Sequence, residues 1–142
     1  MKKSGILIAF IVGAAMIHAQ KIQTKDVPVQ VQSSFTRKFP DAHHVKWEKE
    51  KGKFEAGFTS KGTSYSALLD ATGNIIESEK LINPQSLSAP IKQFIIKKYP
   101  ESSIKEAAQI TDSKGVVTYE AEVNGMDIIF DANGKFLKEI KD

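Results

Sequence analysis

The chain has 142 residues, with 20 Lys and Arg against 17 Asp and Glu, 41% hydrophobic residues, a single Trp and no Cys. That length makes one globular domain, or two very small ones. A charged fraction of 26% is ordinary for a globular protein and excludes disorder, collagen and a long coiled coil. A formal charge of +3, without a basic stripe, excludes the usual nucleic-acid binder. The lack of Cys excludes disulfides, thiolate chemistry and Cys-ligated metals.

Lys2 and Lys3 precede an apolar run from Ile6 to Ile17 that ends near the small residue Ala19. Short positive, apolar and small-residue regions in that order predict a cleavable export signal over residues 1–19. The apolar run falls short of the roughly 20 residues that cross a bilayer as a helix. Removing residues 1–19 leaves 123 residues with 18 basic and 17 acidic side chains. Such a nearly neutral chain is not drawn to nucleic acid or an anionic membrane by its net charge. The expected address is the periplasm or the extracellular medium, with no membrane anchor after cleavage and a monomeric state.

Val27, Val31, Phe35 and Phe39 recur every fourth residue, the stripe of an amphipathic helix. Asp26 is placed to cap it with Pro28 just inside, and Pro40 ends it. The period then changes to two. A strand is expected from Val45 to Lys49, followed by one in which Phe54, Ala56 and Phe58 alternate with Glu55 and Gly57. Tyr65, Ala67 and Leu69 continue the same parity after a longer loop, Thr59 to Ser64. Asp70-Ala71-Thr72-Gly73 reads as a turn, and Ile75 to Lys80 as the closing strand.

After the linker Asn83–Ser86 the pattern returns. Leu87, Ile91, Ile95 and Tyr99 form a second helical stripe, with Ser86 or Ser88 as its cap and Pro100 as its stop. Pro100 lies 60 residues after Pro40, Tyr119-Glu120-Ala121 lies 65 after Phe54-Glu55-Ala56, and Asp131-Ala132-Asn133-Gly134 lies 61 after Asp70-Ala71-Thr72-Gly73. A strand is expected near Ile104 to Thr111, then Tyr119 to Val123, Met126 to Phe130 and Phe136 to Lys141. Asn124-Gly125 between two of these is a strong hairpin signal. The matches predict two copies of one unit, about residues 26–82 and 86–142, within a single domain spanning 20–142. The fold class is then α+β: one antiparallel sheet of six to eight strands with both helices on one face and the other face bare.

The residues of this chain do not assemble a reaction centre. His43 and His44 are adjacent, would point to opposite faces of a strand, and lack a third ligand nearby. The Asp-Ala-Thr-Gly and Asp-Ala-Asn-Gly turns have Gly too early for a calcium loop. No Gly-x-Ser-x-Gly elbow or glycine-rich phosphate loop is present. Glu120 and Glu122 share a strand face, but acid–base work needs a desolvated cleft, and a flat open sheet would not supply one. No catalytic, cofactor or metal residue is therefore expected, and the protein reads as a non-enzyme.

Two apolar residues stand out instead. Leu68 and Ile129 fall by parity on the bare face, at matching positions of the two units, with Ser66, Asp127, Glu120 and Glu122 on that face as well. An exposed apolar pair in polar surroundings describes a docking surface for an unidentified protein, or two incidental surface residues. Trp47 is either core or an interface anchor. A small-ligand or lipid carrier is the alternative function, but large side chains such as Phe35, Phe58, Tyr99 and Phe130 at inward positions leave little room for a cavity.

Lys98-Tyr99-Pro100, Tyr119-Glu120-Ala121-Glu122-Val123 and Phe130-Asp131-Ala132-Asn133-Gly134-Lys135-Phe136-Leu137 together resemble the PepSY-like family of exported bacterial proteins, which groups by fold with the β-lactamase-inhibitor proteins. The resemblance covers nearly the whole chain after the export signal and is sharpest in the second unit. It implies a periplasmic or secreted binding module that can restrain or regulate an envelope or secreted enzyme, and it carries over no catalytic residue.

Overall fold

The computed structural model describes residues 19–141, so the expected export signal lies outside the described residues apart from Ala19. Nine strands make one antiparallel sheet in which every strand pairs with the next in sequence. They are β1 (Gln20–Ile22), β2 (His43–Glu50), β3 (Lys53–Ser60), β4 (Thr63–Leu69), β5 (Ile75–Ile82), β6 (Glu106–Asp112), β7 (Val117–Val123), β8 (Met126–Asp131) and β9 (Phe136–Lys141). Two ten-residue helices, α1 (Val29–Lys38) and α2 (Ala89–Lys98), each follow a short 3-10 turn, Thr24–Asp26 and Pro84–Ser86. A 3-10 turn, a helix and four strands thus occur in that order twice. The α+β class and the open antiparallel sheet are as expected; the strand number is not. The additional edge strand β1 pairs with Lys49, Glu48 and Trp47 of β2, and three residues are too few to display an alternation in sequence.

Helix α1 starts later than its apolar stripe suggests. Pro28 forces Val27 out of the helical region, to φ −84° and ψ 131°, as the residue before a proline must be. Asp26 consequently closes the 3-10 turn and does not cap α1, whose N-cap position is Pro28. Gln32 instead ties the 3-10 turn to α1 by donating from its side-chain amide to the carbonyls of Thr24 and Val27, both at 2.8 Å. Ser88 occupies the N-cap position of α2, without a side-chain capping bond.

The longer loop expected over Thr59 to Ser64 is absent. β3 and β4 pair through Thr59–Ser64 and Ser60–Thr63, and only Lys61 and Gly62 turn the chain, both at positive φ. Asn124-Gly125 and Lys51-Gly52 make turns of the same kind, the type whose twist matches that of a hairpin. The Asp turns form as read: Asp70 Oδ1 accepts from the backbone of Thr72 and Asn74, and Asp131 Oδ1 from Asn133 and Lys135. A third such turn, unanticipated, joins β6 to β7, where Asp112 Oδ1 accepts from Lys114 and Val116.

Each helix buries its stripe on the same face of the sheet. Val31 and Phe35 of α1 pack with Trp47, Phe54, Ala56, Phe58, Ala67 and Leu69. Ile91 and Ile95 of α2 pack with Ala107, Ala121, Val123, Ile128 and Phe130. Phe35 meets Trp47 and Phe58 edge-on at ring separations of 5.2 and 5.0 Å, and Phe94 stacks on Phe136 at 4.9 Å. Trp47 is therefore a core residue of the first half.

Candidate functional site

The strand registers sort the remaining side chains onto the face turned away from the helices. Glu55, Leu68 and Glu77 lie in one row across β3, β4 and β5. Gly57, Ser66, Glu79, Ile110 and Thr118 form a second row from β3 to β7. Ala108, Glu120, Ile129 and Lys138 form a third from β6 to β9, and Glu122 opposes Asp127. All six residues singled out in the sequence, Ser66, Leu68, Glu120, Glu122, Asp127 and Ile129, are on this face.

Their exposure differs from expectation. Leu68 retains 6% of its accessible surface and Ile129 1%, while Ser66, Glu79, Glu120 and Asp127 are buried too; Glu122 is half-buried. The face is neither flat nor washed by solvent. Neither helix packs on this side, so side chains this inaccessible must cover one another, which a flat open sheet would not allow. The sheet therefore curls toward this side, and side chains from distant strands converge over a concave surface.

The convergence changes the chemistry of the carboxyl groups. Glu79, at the middle of the second row, has only 1% of its surface accessible, and neither carboxyl oxygen has a hydrogen-bond partner. Burial, and then the charges of Glu120, Glu77, Glu55 and Asp127, push it up to about 10. Glu55 is pushed up to about 8 by burial and by Glu48 and Glu50. Glu77 rises to about 6 through burial and Asp112, with Lys138 opposing. Lys46 of β2, opposite Gly57, Lys53 of β3 and Lys138 of β9 bring basic groups to the same face, yet Glu55 and Glu79 still hold their protons at neutral pH.

Glu55, Glu77, Glu79 and Ile110 escaped the sequence reading. Glu77 and Glu79 carry the same spacing of two as Glu120 and Glu122, but it is the register through β4, β5 and β6 that brings them opposite Leu68, Ser66 and Ile110.

Other candidates are placed elsewhere. His43 and His44 are exposed at the start of β2, with His44 at φ 53° where the register with β3 shifts. Among the described residues no group of three or more His, Cys, Asp or Glu could hold a metal ion. A depression lined by Val29, Gln32, Ser33, Thr36 and Arg37 lies on the outer side of α1, away from the helix–sheet interface where a carrier would enclose its cargo. No described helix is long and apolar enough to cross a membrane.

No family model matches the chain, and no curated protein matches it. Solved structures do. A DUF2874 family protein from Bacteroides ovatus superposes with a TM-score of 0.71 at 18% identity, covering 80% of this chain and 87% of that one. A proposed periplasmic protein from Bacteroides eggerthii gives 0.72 at 14% identity, covering 80% and 87%. A BLIP-like protein from Bacteroides fragilis gives 0.67 at 19% identity, covering 79% and 84%. At these identities the likeness is one of fold alone: the chain has a BLIP-like α+β fold, two helices on one side of an open antiparallel sheet.

Proposed function

We propose that the chain is an exported, non-enzymatic module that binds another protein on the concave face of its sheet and thereby restrains or regulates an envelope or secreted enzyme. One observation carries the reading: acidic and aliphatic side chains from six strands, β3 to β8, converge on a surface that both helices leave uncovered. Buried polar groups without partners cost free energy and call for a functional explanation. The export signal over residues 1–19, a periplasmic or secreted address and the descent of both halves from one PepSY-like unit belong to the same reading. In support of it, fold neighbours include a proposed periplasmic protein and a BLIP-like protein, and the helix, strand and Asp-turn order recurs in both halves.

The test is capture from an envelope extract by the mature protein, compared with two charge-reversed variants. Glu55→Lys/Glu122→Lys alters the concave face; Lys92→Glu/Lys97→Glu alters α2 on the other side. The same partner should be retained by wild type and the α2 variant and lost by the concave-face variant. Retention by all three proteins, or enrichment of no protein by any, would overturn the proposal.

A further inference from the structure

We propose that β9 takes up an extended acidic and aliphatic segment of a partner polypeptide as a further, antiparallel strand, with an Asp or Glu facing Lys138 and an aliphatic side chain facing Ile140. The site is the edge of the sheet, so this goes beyond the concave-face reading and does not rest on it. Among the described residues β9 ends the sheet, and an edge strand turns a row of backbone N–H and C=O groups outward. Leu137, Lys138, Glu139 and Lys141 of β9 are exposed, so a strand can reach this edge.

β5 carries a strand on the equivalent edge. Ser66–Glu79 and Leu68–Glu77 of the β4–β5 ladder recur 61 residues on as Asp127–Ile140 and Ile129–Lys138 of the β8–β9 ladder, and both ladders shift register at the same step. β9 therefore turns outward the backbone groups that β5 turns toward β6. On β5, β6 places Asp112 opposite Glu77, Thr111 opposite Ser78 and Ile110 opposite Glu79. Laid on β9 in the same register, such a strand sets Asp against Lys138, Thr against Glu139 and Ile against Ile140. A pair of carboxyls in the first half becomes a pair of unlike charges, which stabilises a sheet where directly opposed like charges destabilise it.

Charge selects the occupant. Glu139 is taken up by Lys98 and the Tyr99 hydroxyl, and the other ionic side chains along this edge are Lys135, Lys138 and Lys141, all exposed. Lysines on an edge strand discourage pairing with another copy, because a second β9 would double the positive charge there. The same lysines favour an acidic strand. Leu137, with 49% of its surface accessible, and half-buried Ile140 supply apolar contact for its aliphatic residues.

A synthetic peptide with the β6 sequence, Glu106–Asp112, tests this by backbone-amide NMR titration of the mature protein. Amide shifts and slowed hydrogen exchange should centre on β9. A peptide with Glu106→Lys/Asp112→Lys should bind more weakly, as should one with Ile110→Pro/Thr111→Pro, which removes backbone donors from the ladder. In the protein, Lys138→Glu should weaken binding of the acidic peptide by about tenfold and strengthen that of the Lys peptide. Lys92→Glu, on α2, should change neither. Thermal melts check that both variants are folded.

Equal binding of the three peptides, shifts centred anywhere but β9, or no shift at millimolar peptide overturns the proposal. A Lys138→Glu variant that keeps the wild-type preference between the two charged peptides overturns it too. Shifts on β9 that grow with protein concentration and need no peptide assign the edge to a second copy, against the proposal. Envelope capture with Glu55→Lys/Glu122→Lys is a separate experiment, and either can fail without the other.

Discussion

Ser66 and Glu79 oppose each other directly across β4 and β5, buried on the side of the sheet away from the helices, and Ser66 Oγ and both carboxyl oxygens of Glu79 lack hydrogen bonds. Each such group costs about 1–3 kcal/mol of folding stability when left without a partner, and an ionised carboxylate costs more than a neutral carboxyl.

The pH dependence of stability follows from the same residues. An ordinary Glu titrates at 4.5, whereas Glu79 does so at about 10, Glu55 at about 8 and Glu77 at about 6. Each binds its proton more tightly in the folded chain. Their stabilising contribution is complete below pH 4.5 and is lost as pH rises, through about 6 for Glu77, about 8 for Glu55 and about 10 for Glu79. Melting temperature should fall from pH 5 to pH 9. Glu79→Gln should raise it at pH 8 and leave it nearly unchanged at pH 4.5; a wild-type melting temperature that climbs over the same range would refute the assignment.

At the acid end the sign reverses. The hydroxyl of Thr72, the side-chain amide and backbone N–H of Asn74 and the backbone N–H of Thr72 hold Asp70 down at about 2, against an ordinary 3.8. Its contribution is present above pH 3.8 and lost as pH falls through about 2. Asp70→Asn should lower the melting temperature at pH 7 and have a smaller effect at pH 2.

The turn after Asp70 is pressed against α1. A Cβ on Gly73, whose φ is +94°, would lie 2.7 Å from the Gln30 carbonyl oxygen and from Ser34 Oγ. Gly73→Ala combines left-handed strain with a collision against backbone and should cost about 2–4 kcal/mol in urea unfolding. Gly134→Ala, at φ +85° with a closest approach of 3.0 Å to Pro90 Cβ, should cost less. The reverse ranking would mean that the packing of the two turns is misassigned.

Val31 and Phe35 of α1 and Ile91 and Ile95 of α2 are buried in the core. Phe35→Ala should cost about 3–5 kcal/mol and Ile95→Ala about 2–5, large fractions of a typical 5–15 kcal/mol. Ile96→Ala, at an exposed position of α2, should stay within about 0.5 kcal/mol. Chemical denaturation of the three variants checks the contrast.

The helices and hairpins were legible because their signals are local: a stripe every fourth residue, a proline stop, Asn124-Gly125. Asp112-Ser113-Lys114-Gly115 carries the same signature as the other Asp turns and could have been read. Lys61-Gly62 carries no such signal, since Lys rarely takes a left-handed conformation and the flanking Thr59, Ser60, Thr63 and Ser64 look like loop. The side of the sheet occupied by Leu68 and Ile129 followed from parity alone. Their burial did not, because it comes from the curl of the sheet. The burial of Glu79 was hidden for a related reason: its neighbours are set by registers across six strands, and long-range pairing leaves no local mark in sequence.

The central claim is that the concave face, and not the helical side, is where a partner docks. A photoreactive amino acid placed at Thr118, half-buried in the row of Glu79, or at Ile96, exposed on α2, reports this directly in intact cell envelopes. The account predicts one discrete crosslinked protein from position 118 and none from position 96. Crosslinks from position 96 alone, or the same product from both, would contradict it.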